Sequence, residues 1–142
     1  EIASCLVGSE MCIRDSKYIN IHALGDVANT SNAKTAAAAR KQAPVVANNV
    51  LVALGRLPTL AQYDGYGSCP LTVERGKIVL AEFTYGGKLA PSFPSWLLDG
   101  RKPTRLAWLL KAQALPPLYW QGMLKGREWL ARPQPLGAEG GK

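Results

Sequence analysis

The sequence is poor in the residues that build metal sites and disulfide frameworks. It has three cysteines and one histidine in 142 residues. Three cysteines cannot all pair with one another, so no disulfide framework is expected. The cysteines form no CxxC pair and His22 has no second histidine beside it. We therefore expect no metal site and no His-based catalytic triad.

The sequence also lacks a long apolar run. No run approaches the 18 or so residues of a membrane-spanning helix, and the mean hydropathy is −0.05. Hydrophobic residues nevertheless make up 47% of the chain and charged residues 19%, which excludes a disordered tail. The length predicts one domain or a piece of a larger protein.

Positive charge is in excess and concentrated late in the chain. The net charge is +7, from 17 basic and 10 acidic residues. Residues 100–142 contain eight basic and two acidic residues. The four tryptophans also lie in the last third of the chain, at Trp96, Trp108, Trp120 and Trp129. A basic, tryptophan-rich end is typical of contact with an anionic membrane surface or with nucleic acid.

The first sixteen residues, EIASCLVGSEMCIRDS, show no helical or strand period and no secretory pattern. Glu10 to Ser16 back-translates as GAG-ATG-TGT-ATA-AGA-GAC-AG, which contains the mosaic end of transposase-type sequencing adapters. We therefore interpret 1–16 as translated adapter, the alternative being a disordered tail. In the adapter hypothesis Cys69 is the only authentic cysteine.

The next part of the chain predicts a strand followed by a long helix. Alternating residues from Tyr18 to Leu24 indicate a short strand that ends at a glycine turn. Thr35 to Leu54 is rich in helix-forming residues and is followed by Gly55, which predicts a helix that stops there. Pro44 lies inside this helix, so a kink or a break is expected at that point.

A turn-rich linker, a hairpin and two helices are predicted for the rest. Leu57 to Ser68 reads as the linker, and Leu71 to Val73 and Lys77 to Tyr85 read as two strands joined around Arg75-Gly76. An irregular stretch covers 91–103. Two amphipathic helices, Thr104 to Gln113 and Leu118 to Leu130, are expected on either side of Pro116-Pro117. Mixed α and β elements follow, with one βα unit.

Asp26 and the start of the long helix form a candidate binding site. An acid directly after a strand and Gly25 can accept hydrogen bonds from ribose or ribityl hydroxyls, and the glycine allows close approach. The helix begins near Thr35 with small side chains, so its N–H groups favour negative charge on a bound ring or phosphate. Lys34 adds positive charge there. The alternative is a turn-forming Asp26 and an ordinary helix cap at Thr35.

Cys69 is a candidate nucleophile in the segment YDGYGSCPL. A thiol among small, flexible residues can be accessible, although its reactive form is the thiolate, which needs nearby positive charge or a dipole. The alternative is a small buried hydrophobic residue. One cysteine alone cannot cycle between dithiol and disulfide.

The two late helices form a candidate membrane surface. Their leucines, tryptophans and flanking basic residues suit an amphipathic pair that lies in the surface of a bilayer. Packing against a missing domain or partner subunit is an equal alternative. Nucleic-acid binding ranks third, because no module signature is visible.

Four segments in this order resemble the C-terminal part of the sulfide:quinone oxidoreductase family. They are HALGDVANTSNAKTAAAARKQAPVVANN, YDGYGSCPL, GKIVLAEFTYGGK and LLKAQALPPLYWQGMLKGR, and they extend from about Tyr18 to Arg132. The resemblance implies an α/β flavoprotein with two dinucleotide-binding (Rossmann-like) folds and a membrane-contacting C-terminal region. It implies FAD as cofactor and sulfide and a membrane quinone as substrates. It also implies a peripheral position on the bacterial cytoplasmic or mitochondrial inner membrane.

The resemblance also implies roles for individual residues. Gly25 and Asp26 would hold the FAD ribityl chain, and Lys34, Thr35 and Ala36 would lie near the flavin pyrimidine. Cys69 would be one of two sulfur-trapping cysteines. Lys111 would lie at the quinone site. The domains would then be a partial FAD-binding and redox domain over 17–100, membrane-contacting and quinone-site helices over 101–132 (104–130 touching the membrane) and a disordered tail over 133–142.

Two departures limit the resemblance. Asn29 is followed by Thr30-Ser31 where the family often has Leu-Pro, and the Gly-rich phosphate loop and partner cysteine are absent from this sequence. Cys5 and Cys12 do not occupy family positions. The 142-residue chain alone is therefore expected to bind FAD weakly or not at all and to be inactive. The alternatives are part of a related NADH:quinone reductase, which needs no cysteine at position 69, or a non-enzymatic basic membrane-binding module.

Overall fold

The structure, a computed structural model, describes residues 21–127 and 131–137. The segment 1–16, residues 18–20 of the predicted first strand, residues 128–130 of the predicted last helix and residues 138–142 lie outside the described residues. The architecture is mixed α and β, as the sequence predicts. Both sheets in the described ranges have two antiparallel strands.

The long helix, α1, extends from Ala36 to Ala53. Thr35 caps it, since its Oγ1 accepts a hydrogen bond from the N–H of Ala38 at 3.2 Å. The chain leaves the helix through Gly55, whose φ of +70° suits glycine. The prediction at Pro44 was a kink or a break, and the helix is continuous there, so the chain does not break at this proline. Burial of Gln42, Val45 and Asn49 on either side of the proline holds the helix together.

An antiparallel hairpin follows. Strand β2 covers Gly67–Glu74 and strand β3 covers Lys77–Phe83, with Gly76 at φ +80° in the turn. The predicted hairpin is confirmed, but β2 begins four residues earlier than expected. Pairing of Gly67 with Phe83 and of Cys69 with Ala81 extends the ladder into the predicted linker. Cys69 therefore lies on a strand and not in a loop.

A second, short sheet joins two distant segments. Strand β1, Ala61–Gln62, pairs with strand β4, Gln134–Pro135. Ala131 is buried, and the Leu136 N–H donates to the Leu60 carbonyl at 2.7 Å. These contacts correct the expectation of a disordered tail for residues 133–137, because buried and hydrogen-bonded backbone fixes that stretch.

The late helical segment, residues 105–125, differs from the two predicted helices. It consists of α2 (Arg105–Leu109), a π-helical turn (Leu110–Ala114), α3 (Leu115–Pro117), a second π-helical turn (Leu118–Gly122) and a 3₁₀ turn (Met123–Lys125).

The predicted separation at Pro116-Pro117 is wrong, because the backbone stays helical on both sides of the prolines. The wider turns accommodate the prolines: the Leu115 N–H donates to the Leu110 carbonyl, five residues back. No helix within the described ranges is long and apolar enough to cross a membrane.

Two buried clusters lie on opposite sides of the β2–β3 hairpin. Ala38, Val45, Ala61 and Tyr63 join α1 to β1. Ile78, Leu80, Leu98 and Ala107 join β3 to α2. The hairpin thus connects the α1 region to the late helical segment.

Candidate functional site

The β2–β3 hairpin brings three predicted functional elements together. Along β2, side chains alternate between a first face (Gly67, Cys69, Leu71) and a second face (Ser68, Pro70, Thr72). The first face meets the start of α1: a Cβ built on Gly67 would lie 3.2 Å from the Ala33 Cβ and 3.5 Å from the Thr35 Oγ1. On the second face, Pro70 and Thr72 are the cross-strand partners of the buried β3 residues Leu80 and Ile78.

The loop before α1 is fixed by one buried amide. The Gln42 Oε1 accepts a hydrogen bond from the Gly25 N–H at 2.8 Å, and its Nε2 donates to the Asn32 Oδ1 at 3.3 Å. Gln42 and Asn32 are both buried. Gly25 has a φ of +72°, which favours glycine. A side chain of α1 therefore holds both ends of the Gly25–Asn32 loop in position.

Asp26 and Lys34 have different surroundings at this loop. Asp26 is exposed, in a single 3₁₀ turn (Gly25–Val27), and among the described residues nothing bonds its carboxylate. The Lys34 Nζ donates to the Ala28 carbonyl at 2.6 Å, the Thr30 carbonyl at 2.8 Å and the Thr30 Oγ1 at 2.9 Å. An ammonium has three donors. Lys34 thus braces the loop with all of them, whereas Asp26 keeps its acceptors available.

The helix start provides donors beside Asp26's loop. Thr35 uses its hydroxyl to bond the Ala38 N–H, and the Ala39 N–H bonds the Thr35 carbonyl. The N–H groups of Ala36 and Ala37 precede these in the first turn, where helical N–H groups have no intrahelical acceptor. Methyl side chains at both positions leave the approach to these donors open.

Cys69 lies on the face of β2 that meets α1. It is a free, half-buried thiol, two residues (about 7 Å) beyond Gly67 along the strand. The close approach to Ala33 and Thr35 is made by Gly67, two residues before Cys69 on the same face of the strand. Pro70 follows on the opposite face.

Lys111 reaches the same strand from the late helical segment. Its Nζ donates to the Pro70 carbonyl and to the Thr72 Oγ1, both at 3.0 Å. These bonds join residues 41 and 39 positions apart. The hairpin therefore has the α1 start and Cys69 on one face and is held by the Lys111 cation on the other side.

Comparison with known proteins shows which proteins the chain is similar to. No protein-family model matches the chain. Over 116 residues, 82% of the chain, it is 43% identical to a protein of Dictyostelium discoideum named mitochondrial sulfide:quinone oxidoreductase. The chain is homologous to a part of sulfide:quinone oxidoreductase. The resemblance noted from its four segments is confirmed.

Two further sulfide:quinone oxidoreductases support this assignment. The mitochondrial protein of Mus musculus is 34% identical over 114 residues, and that of Schizosaccharomyces pombe is 36% identical over 118 residues. These alignments cover 80% and 82% of the chain. The chain spans about a quarter of the length of the curated sulfide:quinone oxidoreductases it matches.

One buried polar cluster in this sulfide:quinone oxidoreductase homologue is not among the residues predicted from sequence. The Glu82 carboxylate accepts hydrogen bonds from the Tyr66 hydroxyl, from the Ser92 N–H at 2.8 Å and from the Ser92 Oγ at 2.6 Å. Glu82 is 6% exposed and pairs with Ser68, next to Cys69. Burial and the bond to Glu82 raise the pKa of Tyr66. The cluster fixes the β2 backbone just before Cys69.

A sequence signal for Glu82 did exist. In KIVLAEF, Glu82 shares the two-residue period of the apolar Ile78 and Leu80, so the pattern places it on their buried face. Beside it lies a cavity of about 200 Å³, lined chiefly by apolar atoms of β3 and the 89–101 stretch. Nothing local in the sequence marks Tyr66 or Ser92 as its partners, because they lie 16 and 10 residues away.

Proposed function

We propose that this chain forms a flavin-facing, cysteine-bearing and quinone-contacting part of a sulfide:quinone oxidoreductase. The observation that carries the proposal is the hairpin geometry. Strand β2 meets the start of α1 at Gly67, carries Cys69 two residues later on the same face, and is bonded to Lys111 through Pro70 and Thr72. Homology to three proteins of that name supplies the reaction. In this proposal the N-terminal half of the complete protein supplies the other Rossmann-like fold, the phosphate loop and the partner cysteine.

The residues present fit one end of FAD. The unbonded carboxylate of Asp26, next to Gly25, can accept hydrogen bonds from ribityl hydroxyls, and the N–H groups at Ala36 and Ala37 can donate to ring oxygens. Thr35 fixes the start of α1 and Lys34 braces the loop. When bound, FAD would accept two electrons from the sulfur centre and pass them on. The positive end of α1 favours negative charge on a ligand there.

Cys69 would take part in the capture of sulfur. In the oxidised protein we propose that it forms a disulfide with a second cysteine outside the described residues. Attack by HS⁻ breaks that S–S bond, forms a persulfide on one cysteine and releases the other as a thiolate. A second sulfide or a thiol acceptor then attacks the outer sulfur of the persulfide and carries it away, which leaves both cysteines as thiols. Oxidation of these two thiols back to the disulfide would release two protons and give two electrons to FAD. Cys69 is a free, half-buried cysteine, so its sulfur is partly accessible to a small nucleophile such as HS⁻.

Lys111 would act at the quinone. Reduction of a quinone by two electrons places negative charge on its oxygens, and an ammonium next to an oxygen stabilises that charge or supplies a proton. Because Lys111 also bonds the strand that carries Cys69, the sulfur and quinone steps would take place on two sides of one hairpin.

The late helical segment would seat this part on a membrane. Its exposed side chains include Leu109, Tyr119, Trp120 and Leu124, 43–60% accessible, with exposed Arg105 and Lys125 close by. Large apolar and basic side chains on one short segment suit an anionic bilayer surface. The mitochondrial names of the relatives make the inner membrane the proposed location, with a bacterial cytoplasmic membrane as the alternative.

The test uses the complete protein that contains this sequence. Sulfide should bleach the flavin absorbance, and added quinone should restore it. The Cys69→Ser variant should lose bleaching by sulfide, because the covalent sulfur intermediate cannot form. Leu71→Ala is the matched control, as it changes an exposed residue on the same face of the same strand. Full activity of Cys69→Ser with NADH in place of sulfide would favour the NADH:quinone reductase.

A further inference from the structure

Lys111 is held more firmly than a surface lysine usually is. It lies in the first π-helical turn, Leu110–Ala114, and both of its hydrogen-bond acceptors belong to β2. A free lysine side chain samples many rotamers, and ordering it has an entropy cost. Two bonds of 3.0 Å to one strand offset that cost and define where the ammonium lies.

The strand is suited to offer these acceptors. Pro70 has no N–H, and prolines in sheets lie at strand edges, so its carbonyl faces outward for Lys111. Thr72 follows two residues later on the same face, and its β-branched side chain has few rotamers. The two oxygens therefore form a rigid pair at the open edge of the hairpin.

A second contact fixes the distance between Lys111 and the strand. Thr104, just before α2, forms a backbone bridge with Ile78, with bonds of 2.9 and 3.3 Å. Ile78 is the residue paired with Thr72, and the fully buried Ala107 packs beside it. The bridge fixes the first turn of the late helical segment on β3, and Lys111 returns to β2 about two turns later.

Counting the N–H donors of the Lys111 ammonium shows which of them has no acceptor in the described part of the chain. An ammonium has three N–H groups, and Pro70 and Thr72 take two of them. Among the described residues, no acceptor takes the third. The third N–H is therefore available, with its direction defined by the other two.

We propose that Thr72, with the Pro70 carbonyl, is a positioning residue for Lys111: it aims the third N–H at an oxygen of the quinone and ties that cation to the strand that carries Cys69. The proposal rests on the function proposed above and deepens it by naming the groups that orient the cation. Thr72 itself touches no substrate. Its effect passes through Lys111 alone.

The first test needs no enzymatic activity and uses the 142-residue chain. The rate of acetylation of Lys111 by an amine-reactive ester is measured by mass spectrometry, with the exposed Lys102 and Lys125 as internal references. Thr72→Val keeps the shape and removes the hydroxyl, so Lys111 should react roughly fivefold faster. Thr72→Ser keeps the hydroxyl and should restore the slow rate. Equal rates in all three proteins would overturn the proposal.

The second test uses the complete oxidoreductase and separates its two half-reactions. Thr72→Val should reduce kcat for quinone reduction about fivefold or raise the KM for quinone, while bleaching of the flavin by sulfide stays unchanged; Thr72→Ser should behave as wild type. An equal loss in both half-reactions would indicate a purely structural role and contradict the positioning role. If the complete protein reduces no quinone, the proposed function fails, while the acetylation result still decides whether Thr72 holds Lys111.

Discussion

Two buried side-chain amides of α1 connect that helix to distant segments of the chain. The Asn49 side chain is fully buried and pairs with the backbone of Ala61: its Nδ2 donates to the carbonyl at 3.0 Å and its Oδ1 accepts from the N–H at 2.7 Å. This reciprocal pair fixes β1 to α1. Gln42 does the same for the Gly25 loop, so two amides on one helix position two distant stretches of chain.

The Asn49 pair yields a prediction about stability. Asn49→Ala leaves a buried N–H and a buried carbonyl of Ala61 without partners, which should lower the free energy of unfolding by about 2–4 kcal/mol. Asn48→Ala is the control. The Asn48 Nδ2 donates to the Thr59 carbonyl at an exposed position and to the Asn49 Oδ1 at 3.2 Å, and the Asn49 Oδ1 keeps its bond from the Ala61 N–H, so this variant should cost less than about 1 kcal/mol. Urea unfolding monitored by circular dichroism measures both. Equal decreases in the free energy of unfolding would show that the bonds between Asn49 and Ala61 contribute no more than an exposed hydrogen bond.

One buried tyrosine, Tyr63, and one half-buried tyrosine, Tyr66, predict how stability depends on pH. Burial, and then the charge of Asp64, raises the pKa of Tyr63; burial, and then the bond to Glu82, raises that of Tyr66. The ordinary tyrosine pKa is 10.0. Above that pH the unfolded chain has lost protons that the folded chain retains, so the free energy of unfolding falls as pH rises through and beyond 10.

The measurement is denaturant unfolding below and above pH 10. Tyr66→Phe should make the alkaline fall less steep, because one of the two retained protons is gone, although the lost bond to Glu82 also lowers stability at neutral pH. Tyr119→Phe changes a 43% exposed ring and is the control. A slope that Tyr66→Phe leaves unaltered contradicts the assignment.

At the scale of the elements, two glycines with similar positive φ angles allow the cost of backbone strain to be compared with the cost of steric crowding. Gly55 has φ +70° with nothing within 4 Å of a built Cβ, whereas Gly65 has φ +77° and its Cβ would lie 2.4 Å from the Tyr85 ring and 2.7 Å from its backbone nitrogen. Gly55→Ala should cost about 1 kcal/mol, the ordinary cost of a left-handed residue.

Gly65→Ala should cost at least about 2 kcal/mol more, because backbone and ring must move as well. Thermal unfolding of both variants gives the comparison. Moreover, the Tyr85 ring packs edge-on against the Tyr63 ring, with 5.8 Å between the ring centroids. Gly65→Ala should therefore also alter the near-ultraviolet circular dichroism of the tyrosines. Equal destabilisation would mean that the Tyr85 contact yields without cost.

Local sequence signals predicted the elements better than their contacts. The Thr35 cap, Gly55 and the Arg75-Gly76 turn defined α1 and the hairpin within a few residues, because caps and turns depend on neighbours in the chain. Pro44 and Pro116 misled the prediction, since buried neighbours and π-helical turns outweigh the local cost of a proline.

Long-range contacts left no local signal. The bonds from Lys111 to Pro70 and Thr72 span about 40 residues, and no local period encodes such a pairing. The residues around Cys69 made it a candidate, and the resemblance to the family supplied Lys111. Only the fold showed that one strand links the two. The Glu82 cluster was partly readable from strand alternation, but its partners were not.

At the scale of the whole molecule, the residues that we propose for cofactor binding would contact only one end of FAD. Asp26 and the start of α1 provide an acceptor and donors, while the sequence contains no GxGxxG phosphate loop. The purified 142-residue chain should therefore carry no stoichiometric flavin. Its absorbance spectrum after addition of FAD and desalting tests this. A flavin-to-chain ratio near one would contradict the expectation.

The charge and apolar exposure of the whole chain predict binding to anionic vesicles. The net charge is +7, and Trp120 and Leu124 of the late helical segment are 60% and 57% exposed. The chain should sediment with phosphatidylcholine vesicles that contain phosphatidylserine and less with vesicles that lack it, because basic residues near the surface add attraction. Salt should weaken only this electrostatic part, as charges are screened beyond about 10 Å at 0.1 M.

The apolar contribution to vesicle binding is tested by substituting exposed apolar residues at two different places in the chain. Trp120→Ser with Leu124→Ser should weaken vesicle binding at least tenfold, since it removes two exposed side chains from the proposed contact surface. Leu54→Ser is the matched control, because Leu54 is 64% exposed but lies at the end of α1. If both proteins bind equally well, the late helical segment is not the contact surface, and packing against another part of the complete protein becomes the better account of its exposed residues.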